Sequence, residues 1–142
     1  GFLSNVVTLA QDGLLPSPRY LLVEFSGRFG DNFLIMPGTP QSYFYLTSCV
    51  REIFPKAMWI AHGIEESVFT IASLAITTGA HVRVGFEDRA TLIDSSLATS
   101  SADYVAWVVT VARAHGREPA TPQEARQLLG LPHHPSEIAE GE

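Results

Sequence analysis

The residues best suited to chemistry end a short apolar run near the middle of the chain. Residues 81–88 read His-Val-Arg-Val-Gly-Phe-Glu-Asp, so β-branched and aromatic residues alternate with His81, Arg83 and Gly85. The run ends in two adjacent carboxylates, Glu87 and Asp88. Charged groups at the end of a buried strand are costly unless they are paired or bound to a metal. Because α/β proteins place their active sites at such strand ends, this segment predicts either a functional site or an ion pair that closes the strand.

Composition and charge limit the class of protein. The 142 residues suffice for one modest domain, and 46 % hydrophobic with 17 % charged residues is ordinary for a soluble globular protein. A formal net charge of −6 without any basic cluster argues against a nucleic-acid partner. The longest mostly apolar stretch, residues 68–76, is too short to span a bilayer, so we expect no membrane partner. Cys49 is the only cysteine, which excludes an intrachain disulfide and favours a cytoplasmic location.

Hydrophobic periodicity and capping residues predict alternating helices and strands. We expect strands at 20–25, 57–61 and 81–86, and helices at 2–11, 39–54, 65–79, 100–115 and 121–130. Thr39 followed by Pro40 is typical of an N-cap with proline at the first helical position, and Ser100 with Asp103, and Thr121 with Glu124, have the spacing of capping boxes. The stripe of Tyr104, Trp107, Val108 and Val111 is typical of core packing.

Strands that alternate with helices indicate a parallel sheet built from right-handed crossovers. The three strands are nearly uniformly apolar, which predicts that both faces are covered. Three strands alone would leave two open edges. We therefore expect the chain to be the later part of something larger, or half of an assembly.

Two motifs resemble the β-keto acid cleavage enzymes, a family that includes 3-keto-5-aminohexanoate cleavage protein. The stretch 79–88, Gly-Ala-His-Val-Arg-Val-Gly-Phe-Glu-Asp, resembles the last barrel strand of that family. The ending Ala-His-Gly-Arg-Glu-Pro-Ala-Thr-Pro at 114–122, continued through Ala125-Arg126 to Leu128-Leu129-Gly130-Leu131, resembles its closing helix. A weaker resemblance extends back to Phe2.

The resemblance implies an α/β fold of the (β/α)8 TIM-barrel type. Residues 1–131 would supply about the last three β/α units and a C-terminal helix of a single barrel domain, followed by a flexible polar tail at 132–142. A whole barrel needs roughly 250 residues. The first five strands, with the His-x-His metal pair of the family, would belong to the remaining N-terminal half.

The resemblance also implies an activity. Members of the family use a divalent metal, usually zinc, and move the acyl part of a β-keto acid onto coenzyme A from acetyl-CoA, releasing acetoacetate. The partners expected for this chain are therefore a small β-keto acid, a coenzyme A thioester, the N-terminal half of the barrel and further copies in a homo-oligomer.

By resemblance, Glu87 is the third metal ligand, and Arg83 with Asp88 is the catalytic pair. Arg83 would orient and polarise the reacting groups, and Asp88 would act with it through a hydrogen bond. Arg83 and Glu87 are four residues apart, so on a strand they would point to the same side, with Gly85 leaving room for a ligand. A guanidinium and a metal ion would both stabilise developing enolate charge. The alternative is a buried Arg–carboxylate pair that only closes the strand.

Three further residues are candidates with structural alternatives. His62, after the second strand, could line the substrate pocket or be a hydrogen-bonded structural histidine. Ser26 could line the same pocket or bond to local backbone. Arg28 could contact a phosphate of coenzyme A or be a solvated loop arginine.

Two other functions remain open at this point. One is an aldolase-like TIM-barrel lyase of different chemistry. The other is a non-catalytic half-barrel module whose sheet edges pair with a second copy. If the chain is half of the metal-dependent β-keto acid enzyme, we expect it to be inactive alone, because one carboxylate cannot hold zinc tightly.

Overall fold

The computed structural model describes residues 2–15, 20–29, 32–33 and 35–131. The tail predicted at 132–142 lies outside these residues. The helices are α1 (Phe2–Gln11), α2 (Pro40–Ile53), α3 (Val68–Thr77), α4 (Ser101–Ala114) and α5 (Pro122–Leu129), with a 3-10 turn at Glu65–Ser67. The strands are β1 (Tyr20–Ser26), β2 (Arg28–Phe29), β3 (Asn32–Phe33), β4 (Met58–Ile64) and β5 (His81–Arg83). None of these helices is long and apolar enough to cross a membrane.

Three of the strands form the predicted parallel sheet, in the order β1-β4-β5. The register pairs Glu24 with His62, and His62 with Arg83. β2 and β3 form a separate two-residue antiparallel hairpin within the loop that follows β1. The parallel α/β sheet is thus confirmed, whereas the eight-stranded barrel stays a prediction, because these strands account for three of its eight.

One face of the sheet carries the core. Side chains from all three strands pack there against α2 and α3, and the buried members of this cluster are Val23, Phe25, Tyr43, Val50, Trp59, Ala61, Ile71, Ala75 and Ala80. Burying such apolar surface is the main favourable contribution to folding.

The opposite face is open over much of its width. Along β1, buried Val23 and Phe25 alternate with exposed Tyr20, Leu22 and Glu24, and Leu22 retains 49 % of its surface. The expectation that both faces are covered is wrong for these residues. Side chains alternate between the two faces of a strand, and along residues 20–25 only the face toward α2 and α3 is buried.

The predicted starts of α2, α4 and α5 are confirmed by their caps, whereas the helix predicted from residue 65 begins as the 3-10 turn and becomes α3 at Val68. The Thr39 hydroxyl accepts a hydrogen bond from the Ser42 amide ahead of Pro40. Both predicted capping boxes form, at the starts of α4 and α5. Tyr104 of the predicted stripe is fully buried, and with Trp107 it packs around Phe69.

The strand ends differ from the prediction where the chain turns. β4 continues to Ile64, since the carbonyl of that residue accepts a hydrogen bond from the Gly27 amide at 2.7 Å. β5 is shorter than predicted and ends at Arg83, because residues 86–88 form a turn in which the Asp88 amide bonds to the Gly85 carbonyl at 3.2 Å. The segment that carries the two carboxylates is therefore a turn rather than the end of a strand.

Candidate active site at the carboxyl ends of the strands

A row of three polar side chains crosses the open face of the sheet. Glu24 on β1, His62 on β4 and Arg83 on β5 are direct partners in the parallel register. Partners in a sheet share a face, so the three side chains project to the same side. Their neighbours along the strands, such as Val23 and Ala61, point the other way into the core.

His62 is the centre of this row and is 2 % exposed. Its Nδ1 lies 3.0 Å from Glu24 Oε1, and its Nε2 lies 2.7 Å from Asp88 Oδ1. Glu24 is 45 % exposed at its side chain, whereas Asp88 is 4 % exposed. The imidazole therefore connects a buried carboxylate to one at the surface.

Arg83 contacts Glu87, Asp88 and His62, and these four residues together with Glu24 form the polar cluster. Its Nη2 donates to Glu87 Oε1 at 2.6 Å, while its Nη1 lies 3.6 Å from Asp88 Oδ1. The expected Arg83–Asp88 hydrogen bond is thus replaced by an ion pair, because 3.6 Å is beyond hydrogen-bond distance.

The same Nη1 atom lies 2.9 Å from Nδ1 and 2.5 Å from Nε2 of His62. One atom that close to both ring nitrogens rests against the ring and cannot be in line with either N–H. A nitrogen that donates to a carboxylate also cannot accept from a guanidinium. The ring nitrogens therefore have the two carboxylates as their polar neighbours, and the guanidinium packs on the ring.

Asp88 keeps one unused acceptor. Its Oδ2 atom is buried and has no hydrogen-bond partner among the described residues. The main chain of Asp88 is fixed, since its carbonyl accepts from the Glu65 amide at 2.9 Å. Buried carboxylate oxygens are almost always paired, so Oδ2 marks a position where a donor, a cation or a reacting proton would be accommodated.

Glu87 lies in the turn after β5 with its side chain 60 % exposed. It meets Arg83 because the turn folds the carboxylate back, so the strand geometry predicted for the pair is wrong even though their proximity is right. The space beside Gly85 is also not free, since a Cβ built there would lie 2.1 Å from Glu87 Oε2. Gly85 therefore makes room for the Glu87 carboxylate.

The cluster is anionic. Three carboxylates, Glu24, Glu87 and Asp88, face one guanidinium and one imidazole. Such a site attracts cations. Within the described ranges, however, no group of three or more His, Cys, Asp or Glu side chains is arranged to hold a metal ion. Both nitrogens of His62 face carboxylates, whereas the Glu87 carboxylate is 60 % exposed and open enough to serve as one ligand.

The other predicted site residues lie next to this row. Ser26 is 2 % exposed, and its hydroxyl accepts from the Ile35 amide at 3.4 Å, which is the local backbone bond weighed as its alternative. Arg28 is an exposed residue of β2, and its main-chain N–H donates to Glu66 Oε2 at 3.2 Å. Their roles toward a substrate or coenzyme A stay predictions.

The sequence patterns missed two members of the site. Glu24 joins the cluster through His62, and its signal was a lone carboxylate on an otherwise apolar strand. Glu65 adopts a left-handed backbone conformation with φ of 55°, although it is not a glycine. Such strain is tolerated where surrounding contacts fix it, and here the Glu65 amide is held by the Asp88 carbonyl.

Known proteins similar to this chain are named for cleavage of a keto acid or for acetyl-CoA acetyltransfer. A 3-keto-5-aminohexanoate cleavage enzyme of Fusobacterium nucleatum is 48 % identical over 83 residues, which cover 58 % of this chain and 30 % of that protein. The enzyme of the same name from Acetoanaerobium sticklandii is 34 % identical over 125 residues, 88 % of this chain and 43 % of the relative. A 3-oxoadipate:acetyl-CoA acetyltransferase of Cupriavidus necator is 35 % identical over 97 residues, 68 % of this chain and 34 % of the relative.

The match covers a part of each relative. The chain spans less than half the length of each of these proteins. The sequence profile of the beta-keto acid cleavage enzymes matches residues 1–131, which include every described element and the whole polar cluster. The chain therefore belongs to the β-keto acid cleavage enzyme family.

Proposed function

We propose that this chain supplies the C-terminal half of a metal-dependent enzyme that converts a β-keto acid and acetyl-CoA into an acyl-CoA and acetoacetate. Relatives named for cleavage of 3-keto-5-aminohexanoate and for acetyl-CoA acetyltransfer support this reaction class. The observation that carries the proposal is the convergence of Arg83, Glu87 and Asp88 at the carboxyl end of β5. That end of a parallel sheet is where (β/α)8 enzymes bind their substrates.

Arg83 orients and polarises the reacting groups. Its side chain is 40 % exposed on the open face of the sheet, so a ligand can reach it. Enolate charge develops when the bond beside a β-keto group is made or broken, and a fixed guanidinium stabilises that charge.

Asp88 acts beside Arg83 as the proton acceptor. Its carboxylate is buried, and its Oδ2 atom has no partner within the described part of the chain. A carboxylate oxygen with a free lone pair, held next to a cation, can take a proton from a bound reactant.

Glu87 fits the role of one metal ligand. Its carboxylate is exposed at the mouth of the cluster, and Oε1 is oriented by Arg83 Nη2. A bound divalent metal would act as a Lewis acid toward a carbonyl oxygen. The remaining ligands would come from strands outside this chain, by resemblance from the His-x-His pair of the family.

The N-terminal half of the barrel is the partner this proposal requires. The open face of β1, with Tyr20 and Leu22 exposed, and the outer edges of β1 and β5 supply the surface for added strands. Exposed apolar strand surface of this kind normally pairs with further chain. A non-catalytic half-barrel that pairs with its own copy would use the same surface, and a metal-free dimer in solution would favour that function.

The experiment is an assay of acetyl-CoA-dependent acetoacetate release. The complete protein should release acetoacetate, and Glu87→Gln should abolish zinc retention together with turnover. The chain alone should be inactive and should bind zinc weakly, because a single carboxylate is too few ligands. Carbon–carbon cleavage without any need for acetyl-CoA would favour an aldolase-like lyase. Tight stoichiometric zinc binding by the isolated chain would contradict the proposed division of ligands.

A further inference from the structure

The contacts of His62 leave its imidazole without an atom that could bind a substrate. A pocket residue presents an atom to the ligand, yet both ring nitrogens of His62 face carboxylates and the residue is 2 % exposed. The face of the ring is also covered, since Arg83 Nη1 rests against it. No polar atom of the imidazole is left for a substrate.

The partner of Nε2 is the carboxylate on which the proposed chemistry depends. Asp88 Oδ1 bonds to His62 at 2.7 Å, while Oδ2 has no partner among the described residues. Arg83 Nη1 is farther from Oδ1, at 3.6 Å, and does not hydrogen-bond to it. Within the described chain, the orientation of the Asp88 side chain is thus set by the imidazole.

The imidazole is fixed in turn by Glu24. The Nδ1 contact of 3.0 Å joins residues that are direct partners in the sheet register, so the main chain itself sets their spacing. A histidine whose second nitrogen is also in contact with a carboxylate is held in one ring orientation.

We propose that His62 is a positioning residue for Asp88: it holds Oδ1 so that Oδ2 is the oxygen presented to the reactants, and Glu24 holds His62. The inference rests on the proposed function, because Asp88 receives its chemical role there. A carboxylate held in one orientation supports a faster chemical step than one that rotates freely, since small misplacements of a catalytic group slow that step strongly.

Substitution of His62 by Gln or by Asn tests its contacts with Asp88 and Glu24 separately. The amide nitrogen of Gln is as many bonds from Cα as Nε2 of histidine, so His62→Gln keeps a donor toward Asp88. The amide of Asn matches Nδ1, so His62→Asn keeps the contact with Glu24 and loses the one with Asp88. His81 is the matched control, since it is an exposed histidine on the same face one row away, beside Ile60.

In the complete enzyme, we expect His62→Asn to lower kcat about 100-fold with KM nearly unchanged. His62→Gln should retain most of kcat, Glu24→Gln should lower it less than His62→Asn does, and His81→Asn should match the wild type. A purely structural His62 would make the Asn and Gln variants lose activity in parallel with their stability. Equal loss in both variants, or full kcat in His62→Asn, would overturn the inference.

A second measurement does not need turnover. In NMR spectra of the 15N-labelled chain, His62 should give a ring N–H proton that exchanges slowly with water. His62→Gln identifies the signal, Asp88→Ala should speed its exchange, and His81→Asn should leave it unchanged. A fast-exchanging ring, or one insensitive to Asp88→Ala, would overturn the inference. If the complete protein releases no acetoacetate, the proposed function fails, and this spectrum still decides whether His62 holds Asp88.

Discussion

Gly63, the residue after His62, is expected to tolerate no side chain. A Cβ built on it would lie 2.6 Å from the Ser67 carbonyl oxygen, 2.8 Å from its carbon and 3.0 Å from the Val68 Cα. The distance to the Ser67 oxygen is 0.8 Å shorter than 3.4 Å, the distance at which ordinary van der Waals contact begins. Every one of these atoms is main chain, so Gly63→Ala must push the start of α3 away from the end of β4.

Overpacking of this kind costs about 1–3 kcal/mol, and contacts with main chain belong at the upper end of that range. We therefore expect Gly63→Ala to lower the free energy of unfolding by about 2–3 kcal/mol. The corresponding drop in Tm is about 10 °C for a chain of this size. Urea denaturation followed by circular dichroism measures the loss directly.

A second glycine supplies the control. A Cβ on Gly38 would lie 2.0 Å from Ser67 Cβ and 2.6 Å from its Oγ, so most of that clash is with a side chain. Ser67→Gly removes both atoms and should rescue Gly38→Ala by about 1 kcal/mol or more in a double-mutant cycle. The same substitution should leave the cost of Gly63→Ala unchanged. Equal rescue of both alanines, or a Gly63→Ala protein as stable as the wild type, would refute this reasoning.

Two further outcomes follow from the α4 region. Hydrogen bonds from the Thr99 amide and hydroxyl hold the pKa of Asp103 below its ordinary value. The ionised carboxylate therefore stabilises the folded state at pH values above the pKa that it has in the unfolded chain. This stabilisation is lost as the pH falls below about 4 and the carboxylate is protonated. Asp103→Asn should accordingly flatten the acid side of a stability profile measured by urea unfolding at several pH values, and an unchanged slope would contradict this. Burial raises the pKa of the Tyr104 hydroxyl, which donates to the Arg89 carbonyl; Tyr104→Phe should cost about 1–2 kcal/mol of unfolding free energy, whereas Tyr45→Phe at an exposed position should cost almost nothing.

The helices were predictable because their signals are local. Thr39-Pro40, Ser100 with Asp103, and Thr121 with Glu124 each satisfy free amide groups within one turn, and each cap forms as expected. The parallel sheet followed from the alternation of helices and strands.

The ends of β4 and β5 were not predictable from local pattern. β4 extends to Ile64 because Gly27, far away in sequence, donates to it. β5 stops at Arg83 because residues 86–88 turn back, and no proline or asparagine-glycine pair announced that turn.

The site was predictable in part. Arg83, Glu87 and Asp88 do lie together, as the motif at 79–88 suggested. That motif covers β5 and the turn after it, however, whereas the residue that bonds to Asp88 is on β4. Pairings across a parallel sheet depend on register, which the sequence of a single strand does not contain.

The row Glu24–His62–Arg83 takes one residue from each of three strands, and the adjacent positions on each strand face the hydrophobic core. Residues of the polar row and residues of the hydrophobic core therefore alternate along the same strands. An exchange at position 24, where the side chain is largely solvated, would alter the lining of the mouth without touching Val23 or Phe25. In this chain, exchanges at the exposed positions 20, 22 and 24 of β1 should hence cost little in folding, whereas exchanges at positions 23 and 25 should yield mostly unfolded proteins.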